Sequence, residues 1–213
     1  MIQLDIFIDP ICPWCLLGKA NLDRALADHP AHPFTIAWHP FQLNPTMPIE
    51  GVDKRSYLER AFGGAARVNA VHERLRETAR SEGLDLNPDL PQRIANTLNA
   101  HRLIHWAAIE GVQTAMVAAL FDAYWMQGRD NGALDVLADI AAGIGMNRAA
   151  TFRLLRSDAD GEDIAARCDD ARHKGVTAVP TYLIAKTYVV SGAQAPDVWA
   201  DVISEITAKL KVH

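Results

Sequence analysis

The chain has 213 residues, a hydrophobic fraction of 49% and a formal net charge of −5. This length and composition predict a globular protein with one substantial core, or one domain that carries a large insertion. No run of Lys or Arg stands out, and no apolar run approaches about 20 residues. These features argue against a nucleic-acid binder, a protein docked on an anionic membrane and a transmembrane protein. Three cysteines are too few for a disulfide scaffold.

The amino terminus, MIQLDIFID, has no basic segment, apolar core or small-residue cleavage site ahead of its first strand-like run. The sequence therefore predicts no secretory signal peptide. Together with the initiator-like Met1, this favours a cytoplasmic location, where a close cysteine pair is more often catalytic or metal-binding than structural.

The first 45 residues predict a strand, a helix and a strand. Alternating β-formers indicate a strand from Gln3 to Ile8. Helical spacing of apolar residues indicates a helix that begins near Cys12 and Pro13 and ends near His29. FTIAWHPFQL, from Phe34 to Leu43, predicts the second strand of a βαβ unit.

The middle of the chain predicts helices, and β character returns at its end. Residues from about Lys54 to Lys174 show helical periodicity, interrupted by an extended segment from Gly83 to Gln92. Two strands and a helix follow, at Pro180 to Ala185, Thr187 to Gly192 and Pro196 to Leu210. The order predicts an α/β fold, βαβ…ββα, with an all-helical insertion: residues 1–50 and 175–213 form one domain and residues 51–174 the other.

Two of the three cysteines lie in the segment CPWC, at Cys12 and Cys15. A structural zinc site needs four ligands, and Cys168 has no partner pair around it, so we expect no metal. A structural disulfide across two residues would close too small a loop to stabilise the fold. Disulfide exchange fits best, because Cys12 lies at a helix start, where the helix dipole favours a thiolate. Cys15, one turn later, could then resolve the mixed disulfide.

The residues between the thiols, Pro13 and Trp14, are expected to tune the redox couple, because Pro stiffens the turn and Trp adds bulk without charge. A second signal is the segment GVTAVPTYLI, in which Pro180 begins a strand after the β-branched Val179. This pattern suggests a cis Val179–Pro180 bond. The Val179 backbone would then be free to pair with an extended substrate beside the thiols.

The segments CPWC, VPTYLI (Val179 to Ile184) and VSGAQ (Val190 to Gln194) resemble the DsbA-like branch of the thioredoxin superfamily. WHPFQLNP and NTLNAHRLIHWA narrow the resemblance to FrnE-like proteins, whose relatives include 2-hydroxychromene-2-carboxylate isomerase and kappa-class glutathione transferase. The resemblance covers nearly the whole chain. It implies a thioredoxin fold with a helical insertion, a nucleophilic Cys12, a resolving Cys15 and a substrate-facing Val179–Pro180 loop.

The isomerase and transferase relatives usually have Ser in place of Cys12, lack the second Cys and use glutathione. Both thiols are present here, which favours disulfide exchange. Trp14 replaces the His common in periplasmic DsbA, which argues against an extremely oxidising potential. The resemblance implies no tightly bound cofactor, with glutathione or the thioredoxin system as redox partner.

Four further residues could have either a functional role or an ordinary structural one. Asn44 ends the second strand, in a turn or in the wall of a substrate groove. Asn99 and His101 belong to the insertion helix that the resemblance directs toward the active site, which suggests a role in binding glutathione or substrate. Cys168 has a helical neighbourhood and is expected to be a small buried residue.

Three functions stay open at this point. The first is a thiol–disulfide oxidoreductase acting on a protein or small-molecule substrate, as a monomer or homodimer. The second is a glutathione-dependent isomerase or transferase. The third is a non-catalytic, peptide-holding chaperone. Only the first needs Cys15.

Overall fold

The structure, a computed structural model, describes residues 1–211. Its strands are β1 (Ile2–Ile8), β2 (Phe34–Pro40), β3 (Val52–Asp53), β4 (Arg93–Ile94), β5 (Thr181–Ile184) and β6 (Tyr188–Ser191). Its helices are α1 (Pro13–Asp28), α2 (Lys54–Phe62), α3 (Ala65–Ser81), α4 (Leu98–Ile109), α5 (Gln113–Trp125), α6 (Leu134–Gly143), α7 (Arg148–Leu155), α8 (Gly161–His173) and α9 (Pro196–Lys211). The predicted sheet domain, residues 1–50 and 175–213, includes residues 212–213, which lie outside the described residues.

The main sheet has the strand order β2-β1-β5-β6. Strand β1 pairs in parallel with β2 and antiparallel with β5, and β6 closes the sheet as a hairpin with β5. The hairpin turn lies at Ala185 and Lys186, whose φ angles of 53° and 56° match the twist that a tight hairpin needs. The predicted thioredoxin-like α/β fold, βαβ…ββα with helices between β2 and β5, is confirmed.

Two details of the prediction are wrong. Strand β2 ends at Pro40 rather than at Leu43, because the chain turns away from β1 there. The Leu43 N–H leaves the ladder and donates to the Asp9 carboxylate, at 2.7 Å. The insertion of residues 51–174, predicted as all-helical, also contains β3 and β4, a short antiparallel pair that the sequence pattern did not indicate.

Helices α1 and α9 pack against one another, and Tyr182 of β5 meets Trp199 of α9 edge to face, with ring centres 4.6 Å apart. Helices α5 and α8 contact β2, the edge strand. One cluster of buried residues joins the sheet to the inserted helices, so the core crosses the predicted boundary at residue 51. The division into two domains stays a prediction.

Among residues 1–211, every helix is too short or too polar to cross a bilayer.

Candidate active site

Cys12 is the N-cap residue of α1, and Pro13 occupies the first helical position, where its missing N–H costs no hydrogen bond. The backbone N–H groups of Cys15 and Leu16 donate to the Cys12 carbonyl, at 3.1 and 3.3 Å. The first turn of α1 contains no acidic residue. Cys12 therefore lies at the positive end of the helix dipole, and no acidic side chain of the first turn opposes it.

The Val179–Pro180 peptide bond is cis, and its loop lies against Cys12. The Cys12 Sγ is 3.6 Å from the carbonyl oxygen of Val179, a residue 167 positions away in the chain. The structure therefore brings together the two segments that the sequence had singled out. All three cysteines are free, so the structure shows the dithiol form.

Cys15 lies fully buried behind Cys12 and hydrogen-bonds to it. Burial, reinforced by the hydrogen bond and charge of Cys12, raises the pKa of the Cys15 thiol well above its usual range. Such a thiol holds its proton at neutral pH, so it cannot attack a disulfide until a neighbouring base removes that proton.

Asp9 is a titratable neighbour of Cys15 that the sequence reasoning missed. It is fully buried, its backbone hydrogen-bonds to Cys15, and its carboxylate accepts from the N–H groups of Ile11 and Leu43, at 3.3 and 2.7 Å. Burial raises the pKa of Asp9 to about 6, although these bonds, the Thr97 side chain and the charge of Arg172 oppose the shift. A signal was present in the sequence: Asp9 directly follows a buried strand, three residues before Cys12.

A cavity of about 860 Å³ opens beside the thiols. Cys12, Pro13, Trp14, Asn44 and Val179 all line it. Cys12 is only 3% exposed, whereas Trp14, which lines the same cavity, is 45% exposed. The opposite wall comes from the inserted helices, as the lining residues Lys54, Tyr57, Leu58, Phe62, His72, Leu75 and Trp125 show.

Asn44 is held in place at this cavity by the Tyr57 hydroxyl, which donates to its side-chain oxygen at 2.9 Å. The bond ties the end of the sheet segment to α2. Asn44 thus lines the cavity as well as ending the second strand, and its part in a substrate groove stays a prediction.

Asn99 and His101 are not among the residues that line the cavity. Both are buried in α4. The Asn99 side-chain oxygen accepts from Arg102 at 2.7 Å, and the His101 ring hydrogen-bonds to the Phe41 backbone. Burial lowers the pKa of His101 to about 3, so the ring stays neutral. The role in binding glutathione or substrate that was predicted for these two residues stays a prediction.

Cys168 is buried in α8, where burial raises its pKa to about 11 and the Gln42 backbone hydrogen-bonds to it. Because a buried thiol with a raised pKa is a poor nucleophile, Cys168 has a packing role. In the described part of the chain, no three His, Cys, Asp or Glu side chains cluster as metal ligands would.

The sheet order, and a helix that begins at a Cys-X-X-Cys pair, define the thioredoxin-like class of proteins. Within that class, the chain belongs to the family of the DSBA-like thioredoxin domain, which matches residues 3–204. The DsbA-like members of this family are disulfide oxidoreductases.

Individual relatives cover nearly the whole chain. The uncharacterized protein YwbO of Bacillus subtilis (strain 168) is 23% identical over 207 residues, 96% of either chain. The probable DsbA oxidoreductase SCO1869 from Streptomyces coelicolor is 26% identical with a TM-score of 0.85, over 96% of this chain and 89% of that one. A 2-hydroxychromene-2-carboxylate isomerase is 17% identical with a TM-score of 0.74 over 98% of both chains, a likeness of fold alone.

Proposed function

We propose that the protein is a thiol–disulfide oxidoreductase that works through Cys12 and Cys15. One observation carries the proposal: Cys12 caps α1 at the wall of a substrate-sized cavity, and Cys15 lies buried directly behind it. A pair placed in this way has one thiol for the substrate and a second thiol that only Cys12 can reach. Family membership supports the same chemistry.

The reaction has two exchange steps. The Cys12 thiolate attacks one sulfur of a substrate disulfide, which forms a mixed disulfide and releases the other substrate sulfur as a thiolate. Cys15 then attacks the Cys12 sulfur, which releases the remaining substrate thiolate and leaves the Cys12–Cys15 disulfide. Two electrons pass from the protein to the substrate, and the reverse sequence oxidises a dithiol substrate.

Asp9 is the proposed proton acceptor for the second step. Its pKa of about 6 leaves the carboxylate ionised at neutral pH and close enough to that pH to exchange a proton. Its charge is one of the influences that raise the pKa of Cys15, which places the carboxylate within electrostatic reach of that thiol. Deprotonation of Cys15 by Asp9 would supply the thiolate that burial otherwise suppresses.

The remaining features of the proposal come from the sequence and the family. Glutathione or the thioredoxin system returns the electrons, and no tightly bound cofactor takes part. The substrate is a disulfide- or thiol-containing protein or small molecule, and Val179 with Pro180 forms the loop that faces it. A cytoplasmic location and a monomer or homodimer complete the proposal. The reduction potential, measured against a glutathione buffer, decides whether the protein acts as reductant or oxidant.

A glutathione-dependent isomerase is the second candidate, and the fold of 2-hydroxychromene-2-carboxylate isomerase is the observation that favours it. In that function Cys12 would bind or activate glutathione, and Cys15 would be dispensable. Conversion of a chromene carboxylate in the presence of glutathione, with a Cys15→Ser variant as active as the wild type, would promote this candidate.

The direct test removes only the resolving thiol. Cys15→Ser should accumulate a mixed disulfide between Cys12 and the substrate, because the second exchange step is lost. Turnover in an insulin-reduction assay should fall by about a hundredfold or more, since an unresolved covalent intermediate halts the cycle. Mass spectrometry under non-reducing conditions identifies the adduct.

Cys168→Ser is the matched control, because it removes the buried thiol of α8 and should leave turnover unchanged. Unchanged turnover of Cys15→Ser would contradict the proposed function.

A further inference from the structure

The cavity beside Cys12 has an unusual charge balance. The chain carries 26 acidic and 21 basic residues. Nevertheless no Asp or Glu of residues 1–211 lines the cavity, whereas Lys54, His72 and Arg74 do. His72 is already paired with Asp89, at 2.7 Å, and burial lowers its pKa, so Lys54 and Arg74 are the main positive charges of this wall. A wall of one sign attracts ligands of the opposite sign.

Lys54 lies deeper than a surface lysine does. It is 7% exposed, and its Nζ donates to the Pro88 carbonyl at 2.7 Å. Its Nζ also lies 4.8 Å from the centre of the Trp125 ring and 5.7 Å from that of Tyr124, both of which line the same cavity. The ammonium group is thus held over aromatic rings at the cavity wall.

This ammonium group lacks an anionic partner in the described part of the chain. Asp89, whose charge acts on Lys54, is itself paired with His72 and Arg76. Burial lowers the pKa of Lys54 to about 8, so the group is still mostly protonated at neutral pH. A buried charge without a counter-ion is costly, and an anion entering the cavity would offset that cost.

Most of the remaining lining residues are apolar. Leu58, Phe62, Leu75 and Trp125 line the region around Lys54, and Cys12 lies on the same cavity. The volume of about 860 Å³ is within the range of small-molecule sites, roughly 300–1,000 Å³. The site therefore offers one reactive sulfur, an apolar surface and a cation.

We propose that the cavity takes a small disulfide with an apolar body and a carboxylate, and that Lys54 is the residue that binds the carboxylate. The inference rests on the proposed function, whose substrate class it names. The exchange steps are those given above: the protein dithiol is oxidised and the small disulfide is reduced to two thiols.

The test compares two aliphatic disulfides of similar size, dithiodipropionate with a carboxylate at each end and neutral dithiodiethanol. Pre-reduced protein is mixed with each disulfide, and the loss of protein thiols gives a single-turnover rate constant. Lys54→Met should lower the rate constant for dithiodipropionate by about tenfold or more, as expected for the loss of a hydrogen bond to a charged group. The rate constant for dithiodiethanol should change by less than about twofold, since its neutral ends need no cation.

A second measurement does not depend on redox chemistry. Phenylpropionate, an apolar carboxylate without sulfur, should bind the wild-type protein in a calorimetric titration, and Lys54→Met should weaken the binding by about tenfold. Lys54→Arg should retain much of the affinity because it keeps the charge. Oxidised glutathione, a polar carboxylated disulfide, should saturate the exchange reaction at higher concentration than dithiodibenzoate, because the walls are apolar.

Lys209→Met is the matched control: it removes one lysine charge from the exposed face of α9, where Lys209 pairs with Glu205, and should leave both measurements unchanged. Thermal unfolding checks that the Lys54 variants fold. Equal slowing of both disulfides by Lys54→Met would mean that Lys54 only supports the Pro88 loop and would overturn the inference, with the proposed function intact. A wild-type protein that reduces neither disulfide would overturn the proposed redox function. If phenylpropionate still binds that protein and Lys54→Met loses this binding, the carboxylate site is upheld independently.

Discussion

At the scale of single residues, the chemistry of the site depends on which titratable side chains are buried away from water. Cys12, Cys15 and Asp9 lie within a few residues of one another, and their environments give them different roles. Cys12 caps the helix and lines the cavity, whereas Cys15 and Asp9 are fully buried. Burial favours the protonated forms of the thiol and the carboxyl group alike. This shared environment is the basis for the proposal that Asp9 accepts the Cys15 proton during the exchange reaction.

The pKa of Asp9 predicts how stability depends on pH. Because the pKa is about 6 in the folded protein and about 3.9 in an unfolded chain, the folded state keeps a proton that the unfolded state loses between these values. The free energy of unfolding should therefore fall as pH rises from about 4 to about 6, by up to about 3 kcal/mol. Urea unfolding over this range should show the fall in the wild type and a much smaller fall in Asp9→Asn.

Asp201→Asn, which alters an exposed carboxylate on α9, is the control and should follow the wild-type profile. The Asp9→Asn variant should also resolve the mixed disulfide about a hundredfold more slowly at neutral pH, as expected for the loss of a general base. A pH profile shared by Asp9→Asn and the wild type would show that the buried carboxyl group does not titrate in this window.

At the scale of elements, the site depends on how closely α1 approaches β5. Gly18 lies in the middle of α1, where glycine costs helix stability. A Cβ atom at this position would overlap the Tyr182 hydroxyl and come within 3.0 Å of the Pro180 ring. The glycine therefore lets the helix that begins at Cys12 pack against the strand that follows Val179–Pro180. The Tyr182 hydroxyl is buried and has no hydrogen-bond partner within the described structure.

Gly18→Ala should lower the free energy of unfolding by about 1–2 kcal/mol, because overpacking outweighs the better helix propensity of Ala. Combining it with Tyr182→Phe should recover about half of that loss or more, since the overlapping hydroxyl is removed and the Pro180 contact remains. A double-mutant cycle from chemical unfolding measures the coupling.

Tyr182→Phe alone supplies the reference for the cycle and should be close to neutral, because it deletes an unpaired hydroxyl. Additive effects of Gly18→Ala and Tyr182→Phe would contradict the proposed close approach of α1 and β5.

At the scale of the whole molecule, the inserted helices build half of the site. They supply the far wall of the cavity, and they also cover β2, the edge strand of the sheet. Gln113, at the start of α5, uses its side chain as a neighbouring strand would: it accepts from the Trp38 N–H at 3.1 Å and donates to the Trp38 carbonyl at 3.0 Å. The Trp38 ring adds a bond to the Thr114 hydroxyl, at 2.9 Å. Unpaired edge groups of β2 are thereby satisfied by the insertion.

Gln113→Ala should lower the free energy of unfolding of the whole chain by about 1–3 kcal/mol, because it leaves two backbone groups of Trp38 without partners. If the sheet and the insertion fold as one cooperative unit, fluorescence and circular dichroism should report a single shifted transition. The wild type and the variant are compared by urea unfolding.

Gln127→Ala is the control, since Gln127 follows the same helix but bonds only to Asp122 within it. Two separate transitions in the wild type would show that the predicted domains unfold independently and that Gln113 joins them only weakly.

The sequence by itself determined the features that depend on neighbours along the chain. Local periodicity and turn chemistry indicated β1, α1 and the β5–β6 hairpin, and the spacing of CPWC placed both thiols at a helix start. These features depend on interactions over one or two turns, so a short stretch of sequence contains their causes. The pair β3 and β4 escaped prediction because two-residue strands leave no periodic pattern.

The tertiary structure alone decided which distant residues meet and which are buried. It brought the Val179 carbonyl to Cys12 and placed Asp9 next to Cys15. It also put Lys54 at the cavity wall and left Asn99 and His101 outside the lining of the cavity. Desolvation gives Asp9 and Lys54 their altered pKa values, and it depends on packing against segments remote in sequence. A sequence pattern specifies the identity of a carboxyl or amino group, whereas its protonation depends on the dielectric surroundings that the whole fold creates.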